Sequence, residues 1–167
     1  SSNISLLRIN ASAPSALASD IYLSSTANNN IFKDVNLLGT NWSVYVMTGG
    51  GTNNTLTNVS YSGGEFVGTN ADLTRKWYYQ ANVTYNNLPV NNANLSAFNV
   101  TGIPAGWQFN LTSNSSGFTN RTEIIDYINN GDVGGGTRNY YSNYTIETNN
   151  VTLSESHNLN VTWKTNQ

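Results

Sequence analysis

The feature that most constrains the fold is the alternation of apolar and polar residues. Apolar side chains occupy every second position in stretches 42–46, 77–85, 107–111 and 159–163. Successive side chains of a β-strand point to opposite faces, so this period of two is typical of strands that are buried on one face. Weaker alternation near residues 30–37, 54–61, 64–68, 94–100 and 139–147 adds further candidate strands.

Segments rich in Gly and Asn separate these stretches. They lie at 48–54, 62–64, 86–92, 101–106 and 129–137. Glycine permits a positive φ and asparagine tolerates it, so such segments are typical of tight turns. Many short strands with polar outer faces predict an all-β, antiparallel β-sandwich. One segment, "TEIIDYINNG", fits a short helix capped by Thr122, although its Ile124–Ile125 pair fits a strand nearly as well.

The composition excludes several classes of function. Only 10% of the residues are charged, and seven Lys and Arg residues provide no basic stripe for a nucleic acid. The chain has no cysteine, so a disulfide framework and a cysteine-ligated metal site are both excluded. No apolar run reaches the length of a membrane span. We expect one domain of an extracellular chain whose signal has been removed ahead of Ser1.

The triplet Asn-X-Ser/Thr, the acceptor pattern for N-linked sugar, is unusually frequent. With 30 Asn and a Ser-plus-Thr share of 37/167, chance would give roughly seven triplets, whereas the sequence has 14. Alternation is a second source of the excess, because a strand of an Asn- and Thr-rich protein reads Asn-apolar-Thr without any sugar. We predict N-glycosylation at Asn3, Asn10, Asn41, Asn53, Asn58, Asn82, Asn94, Asn99, Asn110, Asn114, Asn120, Asn143, Asn150 and Asn160. Asn82, Asn110, Asn143 and Asn160 are the best placed of these.

The N-terminal segment differs from the rest of the chain. Residues 1–12 have the composition of a strand, and residues 13–20 form a small-residue stretch with Pro14 that is typical of a linker. Residues 21–167 then form the β-sandwich domain. An apolar strand on a linker is an exposed edge that needs a partner. We expect it to act as a donor strand whose side chains fill a groove: Ile4, Leu6, Leu7, Ile9 and Ala11.

No arrangement of residues points to catalysis or to a bound cofactor. His157 is the only histidine, in a segment expected to be a solvated loop, and a catalytic triad is not recognisable around it. Glu123 and Asp126 are close in sequence, but a glycosidase pair is disfavoured. The segment "GDVGGGTR" lacks the ending of a phosphate-binding loop, and neither Asp132 nor Asp20 belongs to a calcium-loop motif. We expect no enzyme, no cofactor and no metal site. The dense tyrosines at 139–144 fit core or cross-strand packing, or stacking on sugars.

The chain resembles the subunits of archaeal thread filaments, which are pilus-like and heavily glycosylated. The resemblance is carried by the start "SSNISLLRINAS", the absence of cysteine, the triplets "NVT", "NLT" and "NYT", and the closing strand "NLNVTWKTNQ". It is compositional and spans the chain, without the long apolar N-terminal helix of archaeal type IV pilins. It implies an immunoglobulin- or pilin-like sandwich whose N-terminal strand completes the sandwich of the next subunit, as in bacterial type I pili.

These observations predict a structural subunit of an extracellular, cell-surface filament. Its partners are other copies of itself, joined head to tail by strand addition, in adhesion, cell–cell contact or biofilm formation. Neither nucleic acid nor a membrane span in the mature chain is expected. The alternative is a stand-alone β-sandwich, an adhesin, carbohydrate-binding module or surface-layer domain, whose first strand pairs within its own domain.

Overall fold

The computed structural model describes residues 5–7, 10–11, 19–39, 41–49, 51–99, 106–151, 153–162 and 165–166. Every regular element in these ranges is a β-strand, and they contain no helix. The prediction of an all-β chain is therefore confirmed. The strands are β1 (Ser5–Leu7), β2 (Asn10–Ala11), β3 (Ser19–Leu23), β4 (Ile31–Lys33), β5 (Asn36–Leu37), β6 (Trp42–Val46), β7 (Asn54–Thr57), β8 (Gly64–Val67), β9 (Asp72–Tyr79), β10 (Thr84–Tyr85), β11 (Leu88–Pro89), β12 (Asn94–Asn99), β13 (Gly106–Thr112), β14 (Thr122–Asn130), β15 (Thr137–Tyr140), β16 (Asn143–Asn150), β17 (Leu153–Asn160) and β18 (Thr165–Asn166).

The chain divides into two compact units instead of the single expected domain. The first unit comprises Ser1–Lys76 and Tyr127–Asn139, and the second comprises Trp77–Asp126 and Tyr140–Gln167. The boundaries fall inside the long strands β9 and β14. Each unit has its own cluster of buried apolar side chains.

The first unit is a parallel β-solenoid. Strands β1, β4, β7 and β9 form one parallel ladder, β3, β6 and β8 form a second, and β2 and β5 form a third that a bridge extends to Ser60. Each step along the first ladder advances the sequence by 26, 24 and then 19 residues. Because the chain visits the three ladders in the same order each time, every circuit is one coil stacked on the previous one.

Asparagine and its neighbours shape the corners of these coils. Asn29 and Asn53 have φ angles of 60° and 57°, and the pair Asp34 and Asn58 repeats this left-handed conformation one coil apart. Asparagine and aspartate tolerate this conformation better than other non-glycine residues. Between them, buried Asn54 accepts hydrogen bonds at Oδ1 from the backbone N–H of Asn30 (3.1 Å) and from its side-chain Nδ2 (2.9 Å). Polar side chains therefore connect successive coils inside the solenoid.

The expectation of antiparallel strands throughout residues 21–167 is wrong for the first unit. Parallel strands usually need a long crossover, commonly a helix. Here the residues between neighbouring strands of one ladder contain the strands of the other two ladders, so the crossover needs no helix. Apolar side chains of successive coils stack into one core, for example Phe32 on Leu56 and Ile21 on Val44.

The second unit contains the predicted antiparallel pairing. Five strands form a sheet in the order β13-β12-β16-β17-β18, and all of their pairings are antiparallel. Strands β10 and β11 form a small hairpin, with φ angles of 49° and 63° at Asn86 and Asn87 in its turn. Positive φ at both central residues is the requirement of the tightest hairpin turn. The core contains Leu95, Ala97, Ile124, Tyr144, Ile146, Leu159 and Val161.

Residues 122–130 form strand β14, so the helical alternative for "TEIIDYINNG" is wrong. Ile124 and Asp126 lie on one face of this strand and both are buried. The Asp126 carboxylate accepts hydrogen bonds from Trp77 Nε1 (3.0 Å) and Thr162 Oγ1 (2.5 Å). These partners, distant in sequence, favour an extended backbone over the local preference for a helical turn.

Candidate functional site

The N-terminal strand lies at the end of the solenoid of its own chain. Leu6 and Leu7 pair in parallel with Phe32 and Lys33, and Ala11 pairs with Leu37. Strand β1 is the first strand in the order of its sheet, so its second backbone edge has no partner strand among the described residues. Two of the expected donor residues, Ile4 and Ile9, lie outside the described residues.

Two residues of the predicted linker at 13–20 belong to a strand. Ser19 and Asp20 are the first residues of strand β3, which pairs with β6, whereas residues 13–18 lie outside the described part of the chain. Asp20 accepts a hydrogen bond at Oδ2 from the backbone N–H of Gly39 (2.7 Å). Asp20 therefore braces the turn after β5, a contact that the composition of the linker gave no reason to expect.

The predicted glycosylation sites differ widely in exposure. Eight of the 14 are exposed: Asn53, Asn58, Asn82, Asn94, Asn110, Asn114, Asn120 and Asn143. Asn41, Asn150 and Asn160 are half-buried, and Asn160 Nδ2 donates to Asn143 Oδ1 across the β16–β17 pair (2.6 Å). Asn3 and the side chain of Asn10 lie outside the described residues.

Asn99 is the exception among these predicted sites. Its side chain is 2% exposed, and its Nδ2 donates a 2.6 Å hydrogen bond to the backbone carbonyl of Tyr141. A sugar attaches to this same nitrogen, so the folded chain leaves no room for a glycan at Asn99. The four sites that the sequence favoured most are more accessible than Asn99: Asn82, Asn110 and Asn143 are exposed, and Asn160 is half-buried.

The residues considered for catalysis or metal binding do not converge. His157 lies inside strand β17, opposite Ile146, and is not in a loop as expected. Asp132 accepts hydrogen bonds from its own loop, from the backbone N–H groups of Gly134 (2.7 Å) and Gly136 (3.0 Å) and from the Thr137 hydroxyl (2.8 Å). These bonds hold the pKa of the Asp132 carboxyl below its usual value. Within the described ranges, no three His, Cys, Asp or Glu side chains are grouped as metal ligands.

A polar cluster that the sequence did not predict lies on the last coil of the solenoid. Glu65 pairs with Val44, and Arg75 pairs with Leu56. On the last coil these two polar residues therefore occupy positions that fully buried apolar residues occupy on the preceding coil. Paired residues of neighbouring strands share a face. At these two positions the inward stripes therefore change from apolar to charged on the last coil, whereas the stripe through Val46 stays apolar at Val67.

Glu65 is the centre of this cluster, and its side chain is 0% exposed. Its Oε2 accepts hydrogen bonds from the hydroxyls of Tyr127 (2.6 Å) and Tyr61, and its Oε1 accepts from Asn129 Nδ2 (2.7 Å). Arg138 Nε lies 3.2 Å from the same Oε1 as an ion pair. A carboxylate offers about four acceptor positions. All of them are used, which is the condition for burying a charge.

The pKa values in the cluster follow from burial and from these bonds. Burial alone would raise the pKa of Glu65, but the hydrogen bonds from Tyr127, Tyr61 and Asn129 and the charge of Arg138 outweigh it and lower that pKa. Burial, together with the Glu65 charge, raises the pKa of Tyr127 to about 12 and raises the pKa of Tyr61 as well. Glu65 is therefore ionised and both tyrosines are protonated at neutral pH.

Arg75 completes the cluster from strand β9. Its guanidinium lies over the ring of Tyr61, 4.6 Å from the centroid, and its Nη2 donates to the backbone carbonyl of Val59 (3.2 Å). Arg138 lies 4.9 Å from the centroid of the Tyr127 ring. Such cation–π contacts are strongest where water is excluded. With the acceptors of Glu65 occupied and both guanidinium groups over tyrosine rings, the cluster closes the end of the solenoid core.

No protein-family model, no curated protein and no solved structure matches this chain. Along the described ranges there is also no helix of sufficient length and apolarity to cross a membrane.

One signal in the sequence could have revealed the solenoid. "NNIFKDVNL" at 29–37 and "NNTLTNVSY" at 53–61 align at a spacing of 24 residues, with asparagine, apolar and β-branched residues at matching positions. Repeats of 20–50 residues are typical of solenoids. The polar cluster left no comparable signal, because Glu65, Tyr127 and Arg138 meet only in the folded chain.

Proposed function

We propose that this chain is a self-contained, non-catalytic structural domain of an extracellular cell-surface protein. The observation that carries the proposal is the pairing of β1 and β2 with β4 and β5 of the same chain. The N-terminal strand then serves as the first coil of the solenoid and needs no neighbouring subunit to complete it. In this proposal the second unit is the immunoglobulin- or pilin-like sandwich that the sequence suggested.

Composition supports the extracellular location. Sites for N-linked sugar exceed chance about twofold, and Asn, Ser and Thr replace charged residues on the outer strand faces. Side-chain hydrogen bonds such as Asn58 Nδ2 to Asp34 Oδ1 (2.7 Å) and Ser60 Oγ to Asn36 Oδ1 (2.8 Å) connect coils without disulfides. A polar solenoid with bound glycans suits a permanently exposed surface.

A second candidate is the filament subunit, in which the N-terminal strand is donated to another copy. The open outer edge of β1 and the parallel ladder with β4 favour it, because the same backbone bonds form whether the strand comes from one chain or from two. Exchange of an identical element between copies is a common route to assembly, and head-to-tail exchange propagates into a fibre. The donated residues would again be those at positions 4–11.

A pair of cysteines separates the two candidates, since the chain contains none of its own. Ser5 and Ile31 are direct ladder partners, so cysteines at both positions lie within the usual range for a disulfide. We expect the double variant Ser5→Cys/Ile31→Cys to oxidise to a monomer with an internal disulfide. Each single variant is the control, because it has no internal partner.

Two results together would favour the filament. The double variant would form disulfide-linked multimers at low protein concentration, and its native mass in the reduced state would exceed that of a monomer. In that case deleting residues 1–11 should abolish assembly, and the free peptide should bind the truncated chain. Under the self-contained proposal the same deletion lowers the stability of the first unit. It does not change the oligomeric state, because the full chain is already a monomer.

A further inference from the structure

The inward face of the β16–β17 hairpin changes character along its length. Tyr144 and Ile146 on β16 and Leu159 on β17 belong to the core of the second unit. The next positions on that face, Thr148 paired with Glu155 and Asn150 paired with Leu153, carry mostly polar groups. A strand face that packs against a core is normally apolar throughout. The polar side chains on this face therefore indicate that the apolar core ends at these positions.

A pocket of about 210 Å³ occupies that place. Thr148, Asn150, Leu153 and Glu155 line one side, and Val83, Tyr85, Val90 and Ala93 line the other. All of these residues belong to the second unit. This volume lies below the roughly 300–1,000 Å³ of pockets that bury drug-sized ligands, so the pocket suits a ligand of about one ring.

The chemistry of the lining limits what fits. It contains one carboxylate and no Lys or Arg, so an anionic ligand would be repelled. A wholly apolar ligand would cover Glu155 and the Thr148 hydroxyl without offering them hydrogen bonds, which is costly. A metal ion would find a single carboxylate where it normally needs several ligands. A neutral ligand with hydroxyl donors on one face and C–H groups on the other satisfies every part of the lining.

We propose that this pocket binds one neutral sugar residue. The Tyr85 ring, 53% exposed on the β10–β11 hairpin, contacts the C–H face of the sugar, and Val83 and Val90 extend that apolar wall. On the opposite side, Glu155 accepts hydrogen bonds from the sugar hydroxyls, and Thr148 both donates to them and accepts from them. The bonds to the charged carboxylate are the stronger ones. This inference deepens the surface role proposed above and rests on it for its biological meaning.

The test uses the full chain produced without N-glycosylation and labelled with ¹⁵N. Glucose, galactose, mannose and N-acetylglucosamine are titrated separately while amide resonances are recorded. We expect saturable shifts, for at least one sugar, confined to residues 83–93 and 148–155. Glu155→Gln should weaken binding by about fivefold or more, because a bond to a charged acceptor becomes a bond to a neutral one. Tyr85→Ala should weaken it further.

Glu147→Gln is the matched control. Glu147 is exposed, neighbours Thr148 on the same strand and points to the opposite face of the sheet, so its substitution should leave the affinity unchanged. Thr148→Val removes the hydroxyl at nearly constant volume and should also weaken binding. Amide spectra of each variant without sugar establish that the fold is retained.

The proposal is overturned by an absence of saturable shifts for all four sugars, by shifts that lie outside the pocket, or by equal effects of Glu147→Gln and Glu155→Gln. None of these outcomes affects the cysteine-pair test, which concerns only the first unit. Failure of the sugar site and failure of the proposed function are therefore distinguishable.

Discussion

Replacing Glu65 tests whether the polar cluster holds the end of the solenoid. Glu65→Ala removes the acceptor of two tyrosine hydroxyls, of Asn129 Nδ2 and of Arg138. The Tyr61 and Tyr127 hydroxyls lie 3.0 Å apart and can bond to each other, and Arg138 is partly exposed and can be hydrated. One hydroxyl and the Asn129 amide then remain unsatisfied. At about 1–3 kcal/mol for each, the free energy of unfolding of the first unit should fall by about 4 kcal/mol.

The pH dependence gives the same prediction a second readout. The pKa of Glu65 is lower in the folded chain than its ordinary value of 4.5, so its stabilising effect is complete above that value and is lost as the pH falls through the folded pKa. Glu65→Gln keeps the shape of the side chain but cannot ionise. It should lose roughly half as much free energy as the alanine variant at pH 7 and should approach the wild type as the pH falls below 4.5 and through the lowered pKa of folded Glu65.

The assay is urea unfolding of wild type and both variants between pH 2 and 8, followed by tyrosine and tryptophan fluorescence together with far-UV circular dichroism. The two units provide separate transitions if they unfold independently, and only that of the first unit should move. A loss below about 1 kcal/mol for Glu65→Ala would show that the cluster is not needed to close the core. A Gln–wild-type difference that persists unchanged to pH 2 would show that the charge of Glu65 does not contribute.

Three further predictions concern single positions. Gly131→Ala should cost about 1–3 kcal/mol in thermal unfolding, because its Cβ would meet the backbone carbonyl of Gly68. Gly134→Ala is the milder comparison, because the atom nearest to its Cβ is the side-chain Oδ1 of Asp132 at 3.2 Å. Asn53→Ala should cost about 1 kcal/mol and Asn53→Gly almost nothing, because Asn53 has a φ of 57°; equal losses would contradict this conformational reason. Glycopeptide mass spectrometry of native protein should find sugar on Asn82, Asn110 and Asn143 and none on buried Asn99, and a glycan on Asn99 would refute the packing described for it.

The sequence predicted strands well and their pairing only in part. Period-two alternation follows from the geometry of a single strand, so it identifies Trp42–Val46 and Gly106–Thr112 equally well. It carries no information on whether the neighbouring strand runs parallel or antiparallel. In the second unit short turns such as Asn86–Asn87 make the next strand an antiparallel neighbour. In the first unit the neighbour of a strand is the strand at the equivalent position of the next coil, which runs parallel to it. Only the 24-residue spacing distinguishes the two cases.

The candidate sites were harder to predict, because each depends on contacts between distant segments. The cluster around Glu65 joins strand β8 to residues 127, 129 and 138, more than 60 positions away. Likewise, the pocket of the second unit combines residues 83–93 with 148–155. A lone glutamate followed by phenylalanine, or a threonine in an alternating strand, has no local pattern that distinguishes a site from an ordinary surface.

The two units also give the frequent asparagines two different meanings. In the solenoid, Asn29, Asn53 and Asn58 occupy left-handed corners, and Asn30 and Asn54 bond to each other inside the coils. Those positions would favour asparagine even in a chain that is never glycosylated, so the triplets at Asn53 and Asn58 are weak arguments for sugar. In the second unit, Asn110 and Asn143 lie on exposed strand faces where the backbone makes no such demand. The exposed triplets of the second unit therefore give the stronger support to the proposal of an extracellular, glycosylated surface protein.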